Sequence, residues 1–216
     1  DVRPERLADL AKEYGVSTST DNRVVKNAEI VLLAVKPQVM ADVLKGIAPV
    51  LRSETLVISI MAGIPAAKIE TLLGGKHRVV RVMPNTPALV GQGASAIAAG
   101  TYADEADLEV TETILGCVGL TVRVEERDLD AVTALSGSGP AYVFYLLEGM
   151  LAAAEKMGLD KETARKLALK TVEGAARLME DSGEDAEILR AKVTSKGGTT
   201  AAAIQKLDES GVKPAI

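Results

Sequence analysis

The chain has 216 residues and a formal net charge of −5, a length that predicts one or two domains. A mildly acidic chain with four Tyr, one Phe and no Trp lacks the basic face and stacking platforms of nucleic-acid-binding proteins. One histidine and one cysteine exclude an internal disulfide and a metal centre rich in either residue. This cysteine usage suits a reducing compartment, and we expect a cytoplasmic protein. No apolar run reaches the roughly 20 residues of a membrane-spanning helix.

The first half of the chain alternates between helical periodicity and apolar runs of strand length. Predicted helices lie at residues 4–14, 21–28, 38–51, 65–73 and 104–117, and predicted strands at residues 16–19, 29–35, 56–60, 77–83, 94–98 and 119–124. Strands that are apolar on both faces are typical of the middle of a parallel sheet. The alternation therefore predicts an α/β fold, a doubly wound sheet with right-handed crossovers.

The second half has almost no β-branched run of strand length. Helical stretches lie instead near residues 128–135, 140–157, 161–181, 184–192 and 200–209. Segments rich in glycine separate them, as is typical of turns between helices. We therefore predict an α/β domain over residues 1–127 and an all-α domain over residues 128–216.

Three predicted strands end in short loops of small residues, glycine or proline. The first strand-end loop is AVKP (residues 34–37), the second is MAG (residues 61–63) and the third is MPNTP (residues 83–87). Ligands bind at the carboxyl ends of the strands in doubly wound sheets. Each loop alone is explained as an ordinary turn, because Gly and Pro end strands. Three such loops on neighbouring strands favour a binding site.

Dinucleotide-binding sheets carry a Gly-x-Gly-x-x-Gly loop after their first strand, and this sequence does not contain that motif. Residues 1–4 instead resemble the loop after a second strand, where the adenosine ribose is bound. Two interpretations of Arg3 stay open. It contacts the 2′-phosphate of an NADP-type cofactor, or it is a solvated arginine at the start of a helix.

Two glycine loops interrupt the helical half. The serine–glycine turn, SGSG (residues 136–139), precedes Pro140 at a natural first position of a helix, and its ordinary interpretation is a corner between helices. The second loop, TSKGGTT (residues 194–200), opens a helix whose N–H groups and neighbouring hydroxyls form a site for a carboxylate. A well-capped helix without a ligand explains it equally well. Of the other residues, His77 is expected at the surface and Cys117 in packing.

Four motifs in this order resemble the pyrroline-5-carboxylate reductase family: AVKP (34–37), MPNTP (83–87), SGSGPAY (136–142) and VTSKGGTT (193–200). The last is the most specific, and the resemblance covers essentially the whole chain. It implies a Rossmann domain whose first strand and glycine loop would lie before Asp1 in a longer protein. An all-α dimerisation domain would follow, intertwined with a second subunit.

The resemblance implies an oxidoreductase of proline, and hence amino-acid, biosynthesis. Its reaction would be the NAD(P)H-dependent reduction of the cyclic imine 1-pyrroline-5-carboxylate to L-proline. The implied cofactor is NADPH, with NADH as the other candidate. The implied assembly is a homodimer that can build a homodecamer, without nucleic acid, membrane or metal.

The resemblance also implies the residues of the site. Thr200 matches the threonine that hydrogen-bonds the ring nitrogen, and it is the expected catalytic residue. The substrate-binding residues are Ser195, Gly197, Gly198, Thr199 and Thr200. The cofactor-binding residues are Arg3, Asn22, Ala34, Val35, Lys36, Pro37, Ile60, Met61 and Ala62.

The sequence departs from the family pattern in the helical half: Lys196 stands where the family has proline, residues 185–192 lack the usual His-Pro, and Ala191 replaces a common acidic residue. A related β-hydroxyacid or imine dehydrogenase is the alternative enzyme, and the hydroxyacid type would depend on a lysine such as Lys170, Lys192 or Lys196. A dinucleotide-binding regulator without turnover is the alternative outside catalysis. An iminium carbon is already electrophilic, so its reduction needs positioning more than a catalytic histidine.

Overall fold

The computed structural model describes residues 2–216 and divides into two compact units, one ending at Val143 and one beginning at Phe144. Asp1, part of the predicted ribose loop, lies outside the described residues. The division falls within a helix that begins at Gly139. The domain boundary near residue 127 marks a change of secondary structure and stays a prediction.

A sheet of five strands forms the centre of the first unit, in the order β1-β2-β3-β4-β5. The strands are β1 (Ile30–Leu33), β2 (Leu56–Ser59), β3 (Arg78–Met83), β4 (Gly93–Ala99) and β5 (Gly119–Arg123). Neighbouring strands are parallel except for β3 and β4, which pair antiparallel with Met83 opposite Ala96. The predicted α/β fold is confirmed, with one reversed pair that the sequence analysis did not predict.

The reversal between β3 and β4 follows from the length of their connection. Only residues 84–92 separate the two strands, whereas a parallel crossover needs about a dozen residues or more. This connection contains a 3₁₀-helix, Thr86–Val90. It reverses the chain direction, so that β4 begins at the edge of the sheet where β3 ends. The third strand-end loop is therefore a tight reversal beside β4.

Helices cover both faces of the sheet. One core cluster joins α2 (Met40–Ile47) and α3 (Ala66–Leu73) to strand residues such as Val57. On the opposite face Ile58 belongs to a second cluster with Leu115 of α4, which spans Glu105–Gly116. Successive strand residues point to opposite faces, so both faces of β2 are buried. The first helix of the chain, α1 (Pro4–Tyr14), buries none of its residues.

Four local predictions are wrong. Residues 16–19 do not form a strand, because a strand needs a neighbour to pair with and the described sheet pairs none with them. The helix predicted at residues 38–51 is confined to α2, after a 3₁₀ turn at Pro37–Val39. His77 is 9% exposed and thus buried, in the turn that leads into β3. Cys117 is exposed and is the C-cap residue at the end of α4.

The connection between β5 and the helical region differs from the single helix predicted at residues 128–135. It consists of a 3₁₀ turn at Glu126–Asp128, a short α5 (Leu129–Val132) and a π-helical turn at Thr133–Gly137. Leu129 is the buried anchor of this segment and packs with Ala96 and Ala98 of β4. The π turn widens the helix immediately before α6 (Gly139–Lys156).

The second unit is helical, as predicted. After α6 come α7 (Lys161–Ser182), α8 (Ala186–Lys192), α9 (Thr199–Glu209) and α10 (Val212–Ala215). Among the described residues of this unit, Ala164 and Ala168 are the only buried hydrophobics. Large apolar side chains such as Tyr145 and Leu146 are exposed. Across residues 2–216, none of the helices has the length and apolar character to cross a membrane.

Candidate active site

The first and second strand-end loops lie side by side at the carboxyl edge of the sheet. β1 and β2 pair in parallel with Leu33 beside Ser59, and the Ile60 N–H continues the pairing by donating to the Leu33 carbonyl at 3.2 Å. Ala34 and Ala62 follow these strands and are exposed. The two loops therefore present small side chains and accessible backbone where doubly wound sheets bind ligands.

Buried residues anchor both loops. The Met61 side chain is 4% exposed and belongs to the core cluster under α2 and α3. Its N–H donates to Ser59 Oγ at 3.3 Å. Val35 packs against the same cluster, whereas Lys36 and Pro37 are exposed. The loops are thus fixed from below and open on the solvent side.

Asn22 and Arg3 lie on segments of their own. Asn22 is exposed and begins a 3₁₀-helix, Asn22–Asn27, which Asp21 caps. Hydrogen bonds from the side chain and then the backbone of Arg23 lower the pKa of the Asp21 carboxyl, so this cap is ionised at neutral pH. Arg3 is exposed and immediately precedes α1. Both remain predicted cofactor contacts.

The third strand-end loop carries an amide that sequence reasoning did not single out. Asn85 Nδ2 donates to the Ser136 carbonyl at 3.1 Å, and Asn85 Oδ1 accepts from the Ala94 N–H at 2.9 Å. One side chain thus joins the third loop, the start of β4 and the serine–glycine turn. The sequence offered only one indication of this contact, namely that MPNTP (83–87) and SGSGPAY (136–142) were motifs without an assigned role. No local pattern shows that these two motifs lie together.

A charged pair joins β3 to the segment after β5. The Arg81 side chain is 9% exposed, and its Nη1 donates to Glu126 Oε1 at 2.9 Å. The same carboxylate oxygen accepts from the N–H of Ala66 at 2.7 Å, at the start of α3. Because α3 follows the second strand-end loop, Glu126 fixes the helix into which that loop leads.

The α9 turn (residues 195–198) is a β-turn in which the Gly198 N–H donates to the Ser195 carbonyl at 3.0 Å. Gly197 has a φ of 76°, the left-handed conformation that the third position of a type II turn requires. Lys196 occupies the second position, which proline favours in such turns but which other residues also adopt. The turn therefore forms despite the departure from the family pattern at Lys196.

The α9 turn leads directly into the N-terminus of α9. Gly198 is the N-cap, so Thr199, Thr200 and Ala201 occupy the first helical positions, whose N–H groups have no carbonyl partner within the helix. A Cβ on Gly198 would lie 2.5 Å from Ser195 Oγ, so the serine hydroxyl lies against the glycine backbone. Hydroxyl, unpaired N–H groups and helix dipole together suit a carboxylate.

The predicted site residues divide between the two units. The cofactor residues from Arg3 to Ala62 lie in the first unit, and the substrate residues from Ser195 to Thr200 lie in the second. Within the substrate set, the Gly198 N–H already closes the turn. Gly198 therefore contributes the lack of a side chain, and the N–H groups available to a ligand begin at Thr199.

The lysines on which a hydroxyacid dehydrogenase would depend are mostly engaged with carboxylates. Lys170 Nζ donates to Glu173 at 2.9 Å, and Lys192 Nζ donates to Glu184 at 2.6 Å. Lys196 is exposed in the α9 turn. None of these three lysines is held in a site of the structure described.

Comparisons with known proteins cover the whole chain. Residues 126–216 match the family described as pyrroline-5-carboxylate reductase dimerisation, and residues 1–63 match that described as NADP oxidoreductase, coenzyme F420-dependent. A pyrroline-5-carboxylate reductase of Corynebacterium melassecola is 43% identical over 98% of this chain and 80% of its own length.

Solved structures give the same result. The structure of a pyrroline-5-carboxylate reductase from Coxiella burnetii has a TM-score of 0.89 and 39% identity, covering 100% of this chain and 81% of that one. The Plasmodium falciparum pyrroline carboxylate reductase with NADP bound has a TM-score of 0.86 and 33% identity, covering 92% and 75%. With this identity over nearly its whole length, the chain belongs to the pyrroline-5-carboxylate reductase family.

Proposed function

We propose that this chain is an oxidoreductase that reduces 1-pyrroline-5-carboxylate to L-proline with NAD(P)H, the last step of proline biosynthesis. Relatives named pyrroline-5-carboxylate reductase match 98–100% of its length. The observation that carries the proposal is the α9 turn, because it offers unpaired N–H groups and hydroxyls to a small carboxylate substrate. No comparison supports the dehydrogenase or regulator alternatives.

The substrate's own geometry explains why one helix start suffices. Its carboxylate and its imine nitrogen are bonded to the same ring carbon. A carboxylate that accepts from the N–H groups at the start of α9 and from Ser195 Oγ therefore brings the ring nitrogen close to the first helical turn. Thr199 and Thr200 both lie on that turn, and the family resemblance assigns the contact with the nitrogen to the Thr200 hydroxyl.

The chemistry of the reduction needs few titratable groups. One proton and one hydride add across the C=N bond, the hydride to carbon and the proton to nitrogen. The Thr200 hydroxyl orients the imine or relays the proton to its nitrogen. Because the iminium carbon is already electrophilic, holding the ring in place and excluding water account for most of the acceleration.

The residues at the carboxyl edge fit a nicotinamide dinucleotide, which supplies the hydride when it is bound. Ala34 and Ala62 are small and exposed, so a flat ring can approach the backbone beside them. Lys36 adds an exposed cation suited to the anionic part of the cofactor. The exposed guanidinium of Arg3 suits a 2′-phosphate, and this supports a preference for NADPH over NADH.

The helical region supports self-association. Residues 126–216 match a family described as a dimerisation region, and the second unit exposes large apolar side chains on α6 and α7. We propose a homodimer as the basic assembly and a homodecamer as the larger one. The free thiol of Cys117 suits a reducing compartment, and we propose the cytoplasm.

An absorbance assay tests the reaction directly. Oxidation of NADPH and of NADH is followed in the full-length protein with pyrroline-5-carboxylate, and in parallel with a panel of β-hydroxyacids and their oxidised forms. Rapid oxidation that requires pyrroline-5-carboxylate, and that is faster with NADPH, is the expected result. Tight cofactor binding without oxidation would favour the regulator, and turnover of a hydroxyacid alone would favour the alternative dehydrogenase.

A further inference from the structure

The third strand-end loop and the serine–glycine turn are two motifs to which neither the cofactor nor the substrate assignments give a role. Both lie in the first unit, and Asn85 joins them. Its Nδ2 donates to the Ser136 carbonyl at 3.1 Å and its Oδ1 accepts from the Ala94 N–H at 2.9 Å. The turn also contacts the end of β3, since a Cβ on Gly137 would lie 2.5 Å from the Cε of Met83.

The Ser136 carbonyl needs this partner because of the local sequence. In an α-helix it would accept from the N–H of residue 140, but Pro140 has no N–H. The preceding π turn takes the Ser138 N–H to the Thr133 carbonyl at 2.8 Å. A partly buried carbonyl without a donor costs free energy, and the Asn85 amide supplies the donor.

Asn85 also lies beside the proposed cofactor loops. β2 and β3 are parallel neighbours, with Ser59 opposite Arg81. Chain leaving β3 toward residue 85 therefore emerges at the same edge as Ile60–Ala62, one strand away. π turns occur frequently at functional sites, and this π turn contains Ser136, whose carbonyl accepts from Asn85.

We propose that Asn85 is a positioning residue for the reduction. Its amide holds the serine–glycine turn at the carboxyl edge of the sheet, so that the turn forms a fixed wall beside the proposed nicotinamide loops of the first unit. The proposal rests on the proposed function. Asn85 itself touches neither the substrate nor the cofactor, and it acts through the turn.

Loss of the amide releases the turn without removing a cofactor contact. We therefore expect Asn85→Ala to lower kcat by about 10-fold or more, because a displacement of about 1 Å in a reacting pair can cost 100-fold. The KM for the cofactor should change less than about threefold, because the first and second loops are untouched. The substitution leaves the Ser136 carbonyl and the Ala94 N–H without their partner.

The test compares three variants in the full-length protein by steady-state kinetics and by hydrogen exchange of the amides at residues 133–141. Asn85→Asp keeps the acceptor for Ala94 but replaces the donor to Ser136 by a carboxylate oxygen, so it is a second test if Asn85→Ala does not fold. Gln92→Ala is the control, because it removes an exposed carboxamide from the same connection between β3 and β4. Hydrogen exchange measures how firmly the turn is held, and it needs no substrate.

Faster exchange at residues 133–141 together with a fall in kcat, in Asn85→Ala or Asn85→Asp but not in Gln92→Ala, is the expected result. A kcat within twofold of wild type in a folded Asn85→Asp protein would overturn the proposal. So would a fall in kcat with unchanged exchange, since the turn would then not be the link. If the wild-type protein does not turn over pyrroline-5-carboxylate, the proposed function fails first. The positioning role then fails as well, and the exchange data test only whether the Asn85–Ser136 hydrogen bond holds the turn.

Discussion

The two units of this protein differ in where their apolar side chains lie. In the first unit, the three central strands β2, β3 and β4 are buried on both faces, and residues such as Val57, Ile58 and Val79 are 0% exposed. In the second, Ala164 and Ala168 are the only buried hydrophobics among the described residues, while Tyr145 and Leu146 are exposed. Exposed apolar surface on this scale marks an interaction site.

The difference teaches that the proposed cofactor loops and the proposed substrate turn are held in place by different forces. The proposed cofactor loops extend from strands that a core holds in place. The α9 turn is held by its own hydrogen bond and glycine conformation, within a unit that has little core of its own. We expect association of the helical region to stabilise the substrate side of the site, and the following predictions test this division.

The largest effect is expected from a charge on the exposed face of α6. Leu146→Glu places a carboxylate where the helical region is proposed to pack against a second subunit. It removes the transfer free energy of a buried leucine, about 1.5–3 kcal/mol, and adds the cost of desolvating a charge. Light scattering should detect monomers, and activity should fall with dimer content.

The matched control for this variant is Leu89→Glu. Leu89 is 90% exposed against 53% for Leu146, but it lies in the first unit. Its substitution should leave the oligomeric state unchanged. A dimer that persists in Leu146→Glu would place the subunit contact elsewhere.

The next effect concerns the chemistry at the start of α9. Thr200→Val keeps the shape of the side chain but removes the hydroxyl, and we expect turnover to fall by about 10-fold or more, as for the loss of a general acid–base group. Thr171→Val, an exposed threonine on α7 of the same unit, serves as the control. An unchanged rate in Thr200→Val would remove Thr200 from the mechanism.

A smaller effect, on stability alone, is expected in the first unit. Glu126→Ala leaves the Arg81 guanidinium and the Ala66 N–H without their shared acceptor. We expect the free energy of unfolding to fall by about 2 kcal/mol, since Glu126 is partly exposed and a fully buried pair would cost more. Urea unfolding measures it, with the exposed Glu125→Ala as the control. Equal stabilities of the two variants would show that the pair contributes nothing.

The smallest effect is a pH dependence in the helical unit. Hydrogen bonds from the side chain and then the backbone of Thr163 lower the pKa of Asp160, the N-cap of α7. Because the pKa is lowered in the folded state, ionised Asp160 stabilises the fold above the unfolded pKa. This stabilisation is lost as the pH falls through the folded pKa. Asp160→Asn still caps the helix but does not titrate.

Melting temperatures of wild type and Asp160→Asn between neutral pH and pH about 3 measure the pH-dependent stabilisation that Asp160 supplies. The wild type should lose slightly more stability than the variant on acidification. Parallel curves would show that the ionisation of Asp160 does not contribute.

Local patterns in the sequence determined most of the elements and the turn that is proposed to bind the substrate. Apolar runs predicted β2 and β3, because a buried parallel strand needs apolar residues on both faces. The same kind of run predicted β1, although Ile30 and Leu32 of this outer strand are exposed. Two glycines before two threonines predicted the start of α9 and its unpaired N–H groups, because caps and left-handed turns depend on neighbouring residues. The family motifs, read in order, determined the assignment.

Only the tertiary structure decided what residues far apart in the chain do together. It decided the reversal of β4 and the burial of His77. It also paired Arg81 with Glu126 and Asn85 with Ser136, which lie 45 and 51 positions apart in the sequence. No local periodicity encodes such contacts, because they depend on which surfaces meet once the sheet has formed. The Asn85 amide has its partners at Ala94 and Ser136, 9 and 51 positions away, so no residue beside it in the sequence indicates these contacts.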